Sequence, residues 1–247
     1  MAKLLVVEGS VIVRAVFKEL LQKHTDFKFD IVATYGKAKE LLEKGSYNYA
    51  VVERNLEDSL NGEIIALLNK HDIAPLVFTQ EVDEIFFESF EGAKIVDYIL
   101  KRKYNNITHV VQRLVQLQAN REITVLVISD SSTFGGYLKQ NLNIHNFNVL
   151  SATNNQEAYE RIENNPDISL VIVDNIEPNI NSLELLETIR QRRNKEGLKV
   201  IILADKSNSY FTSSLLSAGA DDYIVKPFSR DEFYIRIYQN IQTISLD

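Results

Sequence analysis

Residues 171–178 read VIVDNIEP. Three β-branched apolar residues run straight into Asp174, and a proline follows at position 178. A strand that is apolar at consecutive positions is buried on both faces, as in a parallel sheet. A carboxylate at its end therefore stands at the sheet's carboxyl edge, where ligands of open α/β sheets collect. The stretch decides the fold because it occurs twice. YAVVERNLE (49–57) has the same shape, with Glu53 in place of the aspartate.

The rest of the chain repeats in register with these two stretches. LLVVEGS (4–10) matches VLVISDSS (125–132), PLVFTQ (75–80) matches VIILAD (200–205), and GAKIVDYILKR (92–102) matches GADDYIVKP (219–227). Glu8 and Ser129 stand 121 positions apart, as do Glu53 and Asp174. The pairs Thr79/Ala204, Tyr98/Tyr223 and Lys101/Lys226 stand 125 apart, and the extra length is assigned to a loop around QRRNKEG (191–197). A duplication of this kind, with two halves of similar length, predicts two domains, 1–120 and 121–247, joined near Ala119–Glu122 without a Gly/Ser linker.

In the second half, short β-branched runs at 124–129, 147–151, 169–173, 199–203 and 222–225 read as strands. SSTFGGYLKQNLNI, NQEAYERIEN, SLELLETIRQRR, YFTSSLLSAG and DEFYIRIYQNIQTI carry apolar residues at helical spacing between and after them. Asn154 or Asn155 and Asn181 or Ser182 are candidate N-caps, and Asp231 opens the last helix. Regular strand–helix alternation predicts the α/β class: in each half a doubly wound, five-stranded parallel sheet of flavodoxin-like order 2-1-3-4-5.

Composition narrows the function. The 247 residues contain no cysteine, which excludes disulfides and thiolate metal sites. The net charge of −7 argues against a nucleic-acid surface, which needs clustered Lys and Arg. No apolar run approaches the roughly 20 residues that span a bilayer, and the N-terminus lacks signal-peptide features, so a cytoplasmic protein is expected. The four histidines, His24, His71, His109 and His145, show no ligand spacing, and the glycine pair 135–136 lies inside a helical pattern.

The chemistry is expected at three strand ends of the second half. Strands 1 and 3 are neighbours in the order 2-1-3-4-5, so Asp130 and Asp174 should approach each other. Two close carboxylates repel unless a cation lies between them. Mg2+ suits such a pair, because it takes one or two carboxylates and keeps several waters. Lys226, at the end of the fifth strand, adds a second positive charge. Asp174 would then be an ionised nucleophile facing a neutralised phosphoryl group.

VISD, IVDNIEP, the end of VIILAD and DYIVKPF, in this order and spacing, resemble the receiver domain of two-component response regulators, the CheY-like fold, and they do so twice along the chain. The resemblance implies that Asp174 is the phosphoacceptor served by a sensor histidine kinase or a phosphotransfer protein. It further implies that Asp130, Asp174 and the backbone carbonyl of Ile176 hold Mg2+. Lys226, followed by a cis bond to Pro227, would be the phosphoryl-binding lysine, and Tyr223 the switch aromatic. Two positions depart from the family pattern. Ser129 replaces the first of two adjacent acids, and Ala204 replaces the strand-4 Thr or Ser, removing a charge-assisted hydrogen bond of roughly 1.5–3 kcal/mol.

The first half departs further. Glu53 replaces the acceptor, Gly9 replaces the direct metal ligand and leaves Glu8 alone, and Arg102 replaces the proline. Thr79, Tyr98 and Lys101 remain. Glu53, one methylene longer than Asp, is expected to reach Lys101 and Thr79 and to imitate a phosphorylated state. This half is expected to be a pseudo-receiver.

The module is thus read as a signalling domain pair, not an enzyme, acting as a homodimer with no direct nucleic-acid or membrane partner. The competing reading is a docking or dimerisation scaffold that phosphate does not switch. The chain stops at QTISLD just after the last helix. The resemblance implies that paired receivers commonly precede a diguanylate cyclase (GGDEF) effector, so a complete protein and an N-terminal regulatory fragment are both read from this ending.

Overall fold

The computed structural model describes residues 2–81, 92–101, 105–174, 180–194, 196–205 and 209–241. Ile176, Pro178 and Arg102 lie outside the described residues. The chain divides into two compact units, Met1–Gln118 and Ala119–Asp247.

The first unit contains β1 (Lys3–Val7), α1 (Val11–His24), β2 (Lys28–Val32), α2 (Tyr35–Lys44), β3 (Tyr49–Val52), α3 (Glu63–Lys70), β4 (Leu76–Thr79), β5 (Asp97–Leu100) and α4 (Asn105–Ala119). A 3-10 turn, Asn120–Glu122, follows. The second unit continues with β6 (Thr124–Ile128), α5 (Ser132–Ile144), β7 (Asn148–Ala152), α6 (Asn155–Asn164), β8 (Ile168–Asp174), α7 (Ser182–Arg192), β9 (Lys199–Ala204), α8 (Ser209–Ala218), β10 (Asp222–Val225) and α9 (Arg230–Ile241). The sheets run β2-β1-β3-β4-β5 and β7-β6-β8-β9-β10, and every pairing is parallel. Both sheets therefore have the order 2-1-3-4-5 expected of flavodoxin-like α/β folds.

The apolar strands are buried on both faces, and alternation sorts their side chains into two layers. Leu126, Ile128, Val171, Val173, Val200 and Ile202 face Ile162 of α6, Leu185, Leu186 and Ile189 of α7, and Leu215 of α8. Val125, Val127, Leu170, Ile172, Ile201 and Leu203 face Leu138 and Leu142 of α5 and Phe233, Ile237 and Ile241 of α9. Each such side chain, once fully buried, contributes roughly 1.5–3 kcal/mol, so the central strands are fixed firmly in register. In the first unit Leu5, Val7, Ala50, Val52 and Val77 face Ala38 and Leu42 of α2 and Ile64, Ile65 and Leu68 of α3. Phe17 of α1 meets Phe78 of β4 edge-on at 5.7 Å.

The helices start beside the carboxyl ends of the strands and are capped there. Ser10, Thr34, Ser131, Asn154 and Asn181 each accept a backbone N–H of the helix they precede. Of the two alternatives at each site, Asn154 and Asn181 are the caps. The final helix begins one residue before Asp231, because Ser229 Oγ accepts the Glu232 N–H at 3.1 Å. These caps fix the loops that carry the polar side chains at the sheet edge.

His145 has a structural place. It is buried, stacks on Tyr234 at 3.6 Å, and its Nδ1 lies 2.8 Å from the Tyr238 hydroxyl. Fully buried Asn120 donates to the His145 carbonyl and to the same hydroxyl.

Candidate functional site

Register brings the expected residues to one edge of each unit. In the second, Ile128 pairs with Val173, so Ser129 and Asp174 follow side by side. Ala204 pairs with Val225, and the Lys226 N–H donates to the Ala204 carbonyl at 2.7 Å. The Lys226–Pro227 bond is cis.

Asp174 is fully buried, and both its oxygens have donors. Lys226 Nζ lies 2.7 Å from Oδ1, and Ser129 Oγ donates to Oδ2 at 2.7 Å. Ser129, at the position of a missing acid, thus binds the candidate nucleophile directly. Asp130 follows it at the same edge and is half-buried. Lys226 also reaches Asp205 Oδ1 at 2.6 Å and sits 5.3 Å from the Phe134 ring centroid. Burial opposes its charge, but hydrogen bonds to Asp174 and Asp205, and their charges, outweigh it and raise the Lys226 pKa above the ordinary lysine value. Tyr223 is half-buried against the layer that faces α6, α7 and α8.

Sequence reasoning missed Asp205. The available signal was an acid directly after β9, where the first half has neutral Gln80. Among the described residues no three metal-ligating side chains cluster. The donors present are two carboxylates at neighbouring strand ends, Asp130 and Asp174, and that set fits a hard ion that keeps most of its waters.

The first unit is built alike and filled differently. Val7 pairs with Val52, so Glu8 and Glu53 follow side by side, and Lys101 donates its N–H to the Thr79 carbonyl. Lys101 Nζ contacts Glu53 Oε1 at 2.5 Å and Glu8 Oε2 at 2.7 Å, as expected for Glu53. The expected contact with Thr79 does not form: its hydroxyl donates to the Glu81 carbonyl at 3.1 Å. Glu53 Oε2 instead accepts the Gly9 N–H at 2.9 Å.

That bond couples two substitutions that look independent in sequence. A Cβ at position 9 would stand 3.1 Å from Glu53 Oε2, a tight contact that glycine avoids and that a side chain there would meet only if the Glu53 carboxylate shifted. Arg14 Nη1 holds the loop, donating to the Glu8 and Gly9 carbonyls at 2.7 and 2.6 Å. Glu8 is 1% exposed. Its burial raises its pKa above the ordinary glutamate value, while Lys101 and the Ser10 N–H pull the other way. Tyr98 is half-buried against the layer formed with α2 and α3.

Comparison with known proteins agrees with this geometry. The profile of the response regulator receiver domain matches residues 125–238. Over 114 residues the chain is 35% identical to the response regulator ArlR of Staphylococcus haemolyticus, covering 46% of this chain and 50% of that protein. It is 34% identical over 113 residues to ArlR of Staphylococcus aureus, with the same coverage. The chain spans about half the length of the curated relatives it matches. Two solved structures align along both units. One, of a two-component system response regulator/GGDEF domain protein, has a TM-score of 0.85 at 26% identity and covers 99% of each chain. Another of the same description has a TM-score of 0.84 at 27% identity and covers 98% of each.

Proposed function

We propose that the chain is a tandem of two receiver-like domains of the response regulator type, the first degenerate, with a division of labour between them. The second unit accepts a phosphoryl group on Asp174, and the first is a fixed pseudo-receiver. The observation that carries this reading is the contrast at the two acceptor positions. Asp174 meets one lysine and one hydroxyl and has Asp130 at the same edge. Glu53 is paired with Lys101, which it shares with Glu8, and bonded to the backbone where a metal ligand would stand.

In the second unit one Asp174 oxygen attacks phosphorus, the bond to the donor breaks, and the donor leaves with the electron pair. The ionised carboxylate releases no proton. Lys226 holds a phosphoryl oxygen, and Ser129 orients the carboxylate. Mg2+, held by Asp130, Asp174 and the Ile176 carbonyl, would neutralise phosphoryl charge. Response regulators receive phosphate from histidine kinases or phosphotransfer proteins, and we assign that class of donor here, with a homodimer as the acting form in the cytoplasm. Among the described residues no helix is long and apolar enough to cross a membrane.

The two full-length structural matches are described as GGDEF-linked. They favour a regulatory role for the tandem upstream of a diguanylate cyclase effector. The scaffold reading draws on Ser129 and Ala204, which depart from the receiver pattern.

Acetyl phosphate and Mg2+ test the acceptor assignment. Labelling of the full chain is expected to vanish with EDTA and in Asp174→Asn, and to survive in Glu53→Gln. Labelling that persists in Asp174→Asn overturns it.

A further inference from the structure

Each unit gives its lysine two carboxylates, but the second acid comes from different places. Lys101 takes Glu53 and Glu8, from the ends of β3 and β1. Lys226 takes Asp174, from the end of β8, and Asp205, one residue past β9. At the β1-equivalent position the second unit has Ser129, and at the β9-equivalent position the first has Gln80. The acid lost at one strand end reappears at another. Its exposure also changes: Glu8 is 1% exposed, whereas the Asp205 side chain is 69% exposed.

We propose that Asp205 is a displaceable latch on Lys226, holding the ammonium while Asp174 is unmodified and losing it to the phosphoryl group once Asp174 is phosphorylated. The proposal rests on Asp174 being the acceptor. A phosphoryl group brings close to two negative charges and three acceptor oxygens next to the ammonium. An aspartate beside it is repelled, and one that already faces water is rehydrated at little cost. Glu8 has no such exit, because its carboxylate is enclosed. The exchange moves a charge at the strand end whose hydroxyl is lost at Ala204, so that edge still registers phosphorylation. Asp205 is a positioning residue acting through Lys226.

Beryllofluoride, a phosphoryl mimic, tests this on the full chain with Mg2+. In Asp205→Asn the ammonium has one fewer competitor, so beryllofluoride should bind about two- to fivefold more tightly, the range of an exposed ion pair. The gain should shrink as salt rises, because the wild-type latch is screened. NMR of the Lys226 side-chain nitrogen should show its pKa falling in Asp205→Asn without any ligand. Unchanged beryllofluoride affinity together with an unchanged Lys226 overturns the latch and leaves the acceptor assignment standing. A Lys226 that responds, in a protein whose two forms both fail to bind beryllofluoride, overturns the acceptor assignment and the latch with it. Weaker binding in Asp205→Asn shows that Asp205 helps the phosphoryl site and contradicts the proposal.

Discussion

The two units share a backbone plan and differ in how they balance charge at its edge. In the first, one lysine closes on two glutamates, one of them enclosed by the fold, and a backbone N–H takes the remaining Glu53 oxygen. In the second, the Asp174 carboxylate is buried, but its lysine is shared with an exposed aspartate. The same topology thus places one lysine against an enclosed second acid and the other against an exposed one. The difference lies in four positions: Gly9 against Asp130, Glu53 against Asp174, Glu8 against Ser129, and Gln80 against Asp205.

The strongest way to break this comparison is to convert one unit into the other. Glu53→Asp alone is expected to take no phosphoryl group, because position 9 still lacks a carboxylate. Gly9→Asp combined with Glu53→Asp restores acids at both positions beside Glu8, Thr79 and Lys101. This form is expected to go from no label to measurable Mg2+-dependent label on the first unit in an Asp174→Asn background.

Removing the first unit's lysine comes next. Lys101→Met leaves Glu8 and Glu53 without their cation, and breaking a buried pair in this way costs about 3–5 kcal/mol. Denaturant unfolding should show the first unit's transition moving to lower denaturant, with part of the loss recovered when Glu8→Gln is added. A loss that Glu8→Gln deepens would mean the buried charge is not the cause.

A smaller effect is expected at Ser129. Ser129→Asp adds a carboxylate beside Asp130 and Asp174, and ligand charge sets affinity in oxygen-only sites. Mg2+ binding followed by calorimetry should tighten, while Ser129→Ala, which removes the hydroxyl that orients Asp174, should weaken it by roughly tenfold.

The smallest effect is on pH dependence, and two acids of the first unit have opposite signs. The Glu8 pKa is raised by burial. Its contribution to stability is therefore fully present below the ordinary glutamate value and is lost as pH rises through the raised value. The Asp30 pKa is lowered, first by the Tyr47 hydroxyl at 2.6 Å and then by Lys3. Its contribution is present above the ordinary aspartate value and is lost as pH falls through the lowered one. Thermal unfolding across mildly acid pH should be flatter in Glu8→Gln than in the wild type, and Asp30→Asn should change only the more acid limb.

The architecture was readable because the central strands β1, β3, β6, β8 and β9 are mostly apolar. A run such as LVIVD suits a strand buried on both faces, as in a parallel sheet, and regular strand–helix alternation with five strands per half pointed to the order 2-1-3-4-5. The lysine–acid pairs were readable too, since Asp174 and Lys226, like Glu53 and Lys101, sit at the same edge of their sheet, one strand apart, where a long lysine side chain can span the gap. Three features were not. The Gly9–Glu53 bond depends on a backbone approach of 2.9 Å that spacing does not reveal. The Thr79 hydroxyl donates to the Glu81 carbonyl two residues on, a local bond that strand position does not reveal. Asp205 lies one residue past Ala204, and its reach to Lys226 depends on a side-chain placement that spacing does not reveal.

The central claim is that one unit exchanges phosphate and the other is sealed. Counting phosphoryl groups per intact chain by mass spectrometry, after incubation with Mg2+ and acetyl phosphate, tests it most directly. A single group, absent in Asp174→Asn, is the predicted result. Two groups per chain, none, or one that remains in Asp174→Asn would contradict the account.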